Sequence, residues 1–131
     1  MEITYKDQRQ NKTTELSVDM DVLRTLAEKA GVTPGTLVKV RVRDGNGPYG
    51  YTSPCTGGYR VVLNVRYSKP QLSEGAAYVV NNTLLHELRH VGQGIESGWN
   101  TLSGDYNGWS ETEAREVGRT IKGQAEFFAL R

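Results

Sequence analysis

The chain has 131 residues, enough for one domain and little more. It is 37% hydrophobic and 24% charged with a formal net charge of +1, values of a folded globular protein that argue against a dedicated nucleic-acid or membrane-surface binder. No apolar run approaches the roughly 20 residues that span a bilayer, the first residues lack the basic start and apolar stretch of a signal peptide, and Cys55 is the only cysteine, so a reducing, cytoplasmic setting is expected.

A short strand is expected from Glu2 to Tyr5. Ser17 or Asp19 is placed to cap a first helix over Val18 to Ala30, in which Leu23, Leu26, Ala27 and Ala30 share a face, and Gly31 is a natural stop. Val38 to Arg43 alternates apolar and basic residues and predicts a half-buried strand. Asp44-Gly45-Asn46-Gly47 turns the chain, and the glycines from Gly45 to Gly58 predict a long loop. Tyr59 to Tyr67 predicts another strand, with Val61, Leu63 and Val65 opposed to Arg60, Asn64 and Arg66; Val62 breaks the alternation. A long helix is expected from Ser73 to Gln93, then a loop rich in Gly, Trp and Asn between Gly92 and Gly108. A last helix is expected from Ser110 to Ala129, with Ala114, Val117, Ile121, Ala125 and Phe128 at helical spacing. This order implies a single α+β domain over residues 1–131, with a small sheet and the last two helices packed beside it.

Both histidines lie in one stretch, His86-Glu87-Leu88-Arg89-His90. Residues four apart on a helix lie on one face, so two imidazoles at that spacing can reach one tetrahedral ion. Glu87, between them, can hold a water in the remaining position. Zinc lowers the pKa of such a water toward about 7, and Glu87 can take its proton and pass it to a leaving amine. Leu84, Leu85, Leu88 and Val91 give the helix a buried side, and Asn81 to Val91 contains no Gly or Pro. The bland alternative is a pair of histidines packed near a helix end.

A catalytic zinc site wants three protein ligands, and with no histidine left the third must be acidic. The candidates lie in Ser110-Glu111-Thr112-Glu113-Ala114-Arg115-Glu116. On a helical wheel, Glu111 and Glu113 lie almost equally far from the apolar stripe. Ser110 followed by Glu113 fits a capping box, which would occupy Glu113 and leave Glu111 as the preferred ligand, with Glu113 the alternative. Glu116 falls on the outer face.

Leu84-Leu85-His86-Glu87-Leu88-Arg89-His90-Val91-Gly92-Gln93, followed by Trp109-Ser110-Glu111-Thr112-Glu113-Ala114, resembles the gluzincins. It is most similar to their short members, the zincin-like minimal metallopeptidases, which include the metallopeptidase-like domain of contractile injection systems. These carry HExxHxxQ and then ExEA on the next helix. The resemblance spans about residues 75–125. It implies a zincin-like domain with a short twisted sheet, zinc as cofactor, hydrolysis of a protein or peptide substrate, and Glu111 as the ligand from ExEA. One position departs: those families place Asp or Asn after the alanine, where it orients a ligand histidine from behind, and this chain has Arg115. Losing such a partner commonly changes metal affinity or activity by about 10–100-fold. The strand upstream of the metal helix in zincins often forms an edge that a substrate backbone joins; Tyr59 to Tyr67 holds that place in sequence, an internal strand being the equal alternative. A catalytically inactive zincin-fold module of a larger assembly, such as a phage, and a zinc hydrolase of non-peptide substrates are the competing functions.

Other residues carry weaker signals. Tyr106 is a candidate catalytic donor to a tetrahedral oxyanion, although loop aromatics such as Tyr106 and Trp109 more often cover a core edge. Gln93, seven residues after His86, can bond a backbone group or a ligand carboxylate, or lie in water at a helix end. Cys55 on its loop could block an open zinc position, but a lone cysteine is ordinarily inert. Lys39, Arg41, Arg43, Arg60 and Arg66 read as a solvated sheet face, with anion binding as the alternative. The expected partner is a protein or peptide substrate, with no nucleic acid and no membrane.

Overall fold

The alternation of Val38, Val40 and Val42 with Lys39, Arg41 and Arg43 turns the valines to one side of a pleated strand and the cations to the other. The same logic repeats across a mixed sheet, which among the described residues has four strands and is accompanied by three helices. This computed structural model describes residues 1–10, 12, 16–45, 48–65, 72–97, 108–121 and 127–131. The elements are β1 (Glu2–Asp7), α1 (Met20–Lys29), β2 (Leu37–Arg43), β3 (Gly50–Cys55), β4 (Gly58–Asn64), α2 (Glu74–Ser97) and α3 (Gly108–Arg119). The architecture is thus α+β. The strand order is β1-β2-β4-β3, with β1, β2 and β4 parallel and β3 antiparallel to β4.

One face of the sheet makes the core. Val38, Val40, Val42, Val61 and Leu63 meet Leu23 and Leu26 of α1 and Leu84, Leu85, Leu88 and Val91 of α2, all at most 1% exposed. At roughly 25 cal/mol per Å² of apolar area removed from water, a buried Leu or Val of this kind contributes about 1.5–3 kcal/mol. Asp19 caps α1 by accepting from the amides of Asp21 and Val22, each at 3.1 Å.

Four expectations are corrected. Gly45 to Gly58 is not one loop, because Gly50–Cys55 pairs antiparallel with β4. Pro54 is tolerated there because, among the described residues, β3 ends the sheet order and bonds on one side only. The strand preceding α2, which ends at Asn64, is therefore internal, and the edge nearest α2 in the sheet order is β3. Helix α2 does not stop at Gln93: Gly92 and Gly94 lie inside it and it continues to Ser97. Gly92 belongs there because a Cβ would lie 2.0 Å from Ala30 O, so only glycine lets the end of α1 approach this closely. Helix α3 begins at Gly108 and ends at Arg119, where the Thr120 amide and hydroxyl both donate to Val117 O.

The residues Phe128 to Leu130 are not helical, and Leu130 forms an antiparallel bridge with Val18. Buried Asn81 fastens them to α2. Its Nδ2 donates to Ala77 O at 2.7 Å and Leu130 O at 2.8 Å, and its Oδ1 accepts from Ala129 N at 2.6 Å and Leu130 N at 3.1 Å. Ser17 and Arg131 then exchange backbone bonds of 2.8 and 3.0 Å, which closes the segment against the start of α1.

At the far end of β1, buried Asp7 accepts from Arg9 Nε, Arg9 Nη2 and the amides of Arg9 and Leu16. Burial alone would raise this carboxyl, but these bonds and the guanidinium charge hold it at about 2, below its ordinary 3.8. A carboxyl depressed by folding stabilises the native state above its unfolded pKa and loses that contribution as pH falls. Urea titrations are therefore expected to show about 2 kcal/mol of stability disappearing between roughly pH 4 and pH 2 on account of this group. Asp7→Asn should lack that part of the slope; an unchanged slope would refute the assignment.

Candidate metal centre

Three side chains from two helices converge. His86 and His90 project from one face of α2, with ring centroids 4.9 Å apart and planes at 78°. Glu111 comes from the first turn of α3. Its Oε1 lies 2.7 Å from His90 Nε2 and 3.6 Å from His86 Nε2. The donor atoms of all three lie within 4.8 Å of one another. Ligands at 2.0–2.2 Å around a tetrahedral zinc stand about 3.3–3.5 Å apart. The separations to Glu111, 2.7 and 3.6 Å, fall on either side of that range and the widest spread is within 4.8 Å, so the three residues could hold such an ion after small side-chain shifts.

The close passage of α3 over α2 makes this possible. Ala114 is fully buried, and a Cβ on Gly118 would lie 2.9 Å from Asn82 O and 3.4 Å from His86 Cβ. Larger residues at these positions would lift α3 and withdraw Glu111.

The hydrogen bonds behind His90 define its chemistry. Gln93 is fully buried; its Nε2 donates to Ser110 O at 3.0 Å and Glu113 Oε1 at 3.2 Å. Two acceptors against that atom fix the orientation of the amide, so Gln93 Oε1 is what faces His90 Nδ1, at 2.8 Å. Nδ1 must then carry the hydrogen. Nε2, at 2.7 Å from a carboxylate oxygen, is left either as the second N–H of an imidazolium or as a bare lone pair. Two lone pairs at that distance repel unless a cation lies between them. His86 is held below its usual range, first by burial and then by His90, which favours the neutral, ligating form.

Glu113 does not form the expected capping box. α3 starts at Gly108, so Ser110 already lies within the helix, and the Glu113 carboxylate pairs instead with Arg89 Nε and accepts from Gln93. Burial opposes its charge, but the bonds from Arg89 and Gln93 prevail and lower its pKa. Arg89 also donates to Ala30 O at 2.9 Å and to both oxygens of Glu96 at 3.0 Å, joining the end of α1 to α2 and α3. Glu116 is exposed.

Glu87 is buried beside the triad. Thr52 of β3 places its hydroxyl 3.0 Å from Glu87 O and 3.2 Å from Glu87 Oε1, sharing one hydrogen between them. Gly50 gives the glutamate room: a Cβ there would stand 3.2 Å from Glu87 Cγ. Burial raises the Glu87 carboxyl to about 8, Glu111 adds repulsion, and the Thr52 bond opposes the rise. A divalent cation nearby would pull this value back down.

Arg115 is exposed, with Nη2 3.7 Å from Glu111 Oε2, one turn away on α3. It faces the acidic member of the triad, and the partner behind His90 is Gln93. Cys55 ends β3 and alternates with Thr52, so it points away from α2. Trp109 lies in the first turn of α3, and Tyr106 falls outside the described residues. Thr52 and Arg89 carry no sequence signal of their own; for Thr52 the hint was the Tyr51-Thr52-Ser53 run before Thr56-Gly57-Gly58, a strand followed by a hairpin turn. No family model matches the chain, and neither the curated proteins nor the solved structures contain a match to it.

Proposed function

We propose that the chain is a zinc-dependent hydrolase of zincin-like fold that cleaves peptide bonds, with His86, His90 and Glu111 as metal ligands and Glu87 as general base. The observation that carries this reading is the 2.7 Å approach of His90 Nε2 to Glu111 Oε1 by an imidazole whose Nδ1 is already committed to Gln93. When bound there, zinc supplies Lewis acidity, lowering the pKa of water to about 7 and polarising a carbonyl. Glu87 takes a proton from the water that adds to the carbonyl carbon, and delivers it to the amine as the C–N bond breaks. Thr52 holds Glu87 at the work position. The preference for peptides rests on β3, which among the described residues is a terminal strand and whose Thr52 touches the base, because an extended backbone can add to such an edge.

Arg115 favours a second reading, a zincin-fold module without catalysis, since its guanidinium competes for the Glu111 charge. Elemental analysis separates the two at the first step. Purified protein should carry one zinc per chain, and His86→Ala should weaken binding by at least roughly a hundredfold, since a ligand is lost outright. Wild-type protein that leaves zinc-containing buffer empty ends the proposal. Zinc retained without cleavage of any member of a peptide library selects the second reading.

A further inference from the structure

The sheet face turned away from the helices is basic. Alternation along β2 puts Lys39, Arg41 and Arg43 there, and the register sets Lys39 beside Arg60 of β4 and Arg41 beside Lys6 of β1. Neighbouring strands are about 5 Å apart and alternate residues about 7 Å apart along a strand, so five cations share a small grid. Among the described residues none of the five makes an ion pair, and Glu2 is the one acid that the strands contribute to this face. Like charges directly opposed across strands destabilise a sheet. The net charge of +1 conceals this segregation, which is why composition argued against an anionic partner.

Aromatic rings lie on the same face. Tyr51 opposes Val62 of β4, and the Arg43 guanidinium stands 5.3 Å from its ring centre. Asn64 N donates to Tyr49 O, so the pairing continues one residue further and Tyr49, 54% exposed, shares the face. Arg41 Nη1 donates to Val40 O at 2.9 Å and to Thr4 Oγ1 and Thr4 O at 3.3 and 3.4 Å, which ties the guanidinium to the sheet.

We propose that this face binds single-stranded nucleic acid, with Lys6, Lys39, Arg41, Arg43 and Arg60 meeting phosphates and Tyr49 and Tyr51 stacking on bases. A cationic sheet surface that also carries aromatic side chains suits splayed single strands, whereas a duplex is read by an element that enters a groove. The face lies on the opposite side of the sheet from Glu87 and the inference does not depend on zinc.

Fluorescence anisotropy with labelled oligo-dT and oligo-U of about 12 nucleotides, titrated between roughly 50 and 200 mM salt, tests it. Binding is expected to weaken with salt with a log–log slope of about −2 to −3.5, for three to five phosphates neutralised. The double variant Lys39→Gln/Arg60→Gln should flatten that slope by about 1.4. Tyr51→Ala should weaken binding roughly tenfold at an unchanged slope. The double variant should melt no lower than wild type, since it relieves a like-charge pair, and should bind zinc as wild type does. The idea is overturned by no binding at the lowest salt, by affinities that neither variant alters, or by tighter binding to phosphatidylserine vesicles or polyglutamate than to either oligonucleotide.

Discussion

Glu87→Gln is expected to bind zinc within a few-fold of wild type and to cleave its substrate about 10²–10⁴ times more slowly, the usual worth of a positioned general base. The substitution changes one oxygen to nitrogen in a side chain that is 4% exposed, and the amide oxygen can still accept from Thr52. The proposed ligand atoms on His86, His90 and Glu111 are untouched. Stability should be equal or higher, because the variant removes a carboxyl that burial already raises to about 8. The sign of the pH dependence follows. The base works deprotonated, so the wild-type rate should rise with pH through the Glu87 pKa, which a bound cation sets below 8. Measurements of kcat and KM beside zinc content and melting temperature decide the matter. A glutamine variant as fast as wild type would remove Glu87 from the chemistry.

Gln93→Met is expected to lower zinc affinity by about 10–100-fold while His86, His90 and Glu111 remain in place. Methionine has a similar length and fills the same buried volume, so packing is largely conserved. What disappears is the acceptor for His90 Nδ1 and the donor to Ser110 O and Glu113. The imidazole then loses its fixed tautomer and the two helices lose a bridge. Zinc competition titrations give the affinity, and nitrogen-15 spectra of the histidine rings give the tautomer. In zinc-loaded wild type, His90 should carry its hydrogen on Nδ1. A ring that carries it on Nε2 would contradict the geometry without any variant, and a methionine variant of wild-type affinity would show that Gln93 does not set the site.

Much of this centre was legible in the sequence because it is local. The interval between His86 and His90 needs only helical geometry, and α2 satisfies it. The choice between Glu111 and Glu113 was not local. The wheel left them level, and the capping box offered a reason that the structure replaces: Glu113 is engaged by Arg89, 24 residues away in sequence. No periodicity announces such a pairing. β3 was missed for a different reason. Gly50 and Pro54 are turn residues by composition, yet Gly50 is required by the approach of Thr83 and Glu87, and Pro54 is harmless on a terminal strand. The length of α3 was overread because Ile121 and Phe128 continue the helical spacing although both are buried by other means. The role of Gln93 could have been found: three residues past His90 on a helix is where an amide can reach back to the ring.

α3 has 12 residues, a length at which an isolated helix is marginal in water. Its shape is therefore lent to it by α2, through the Gly118 passage and the Glu113–Arg89 pair. The two histidines belong to the sturdier helix and the glutamate to the borrowed one. If the proposed centre binds its ion, partial unfolding would thus disarm it before it erased the motif: a chain that keeps α2 but lets α3 fray retains a two-point foothold and forfeits the third.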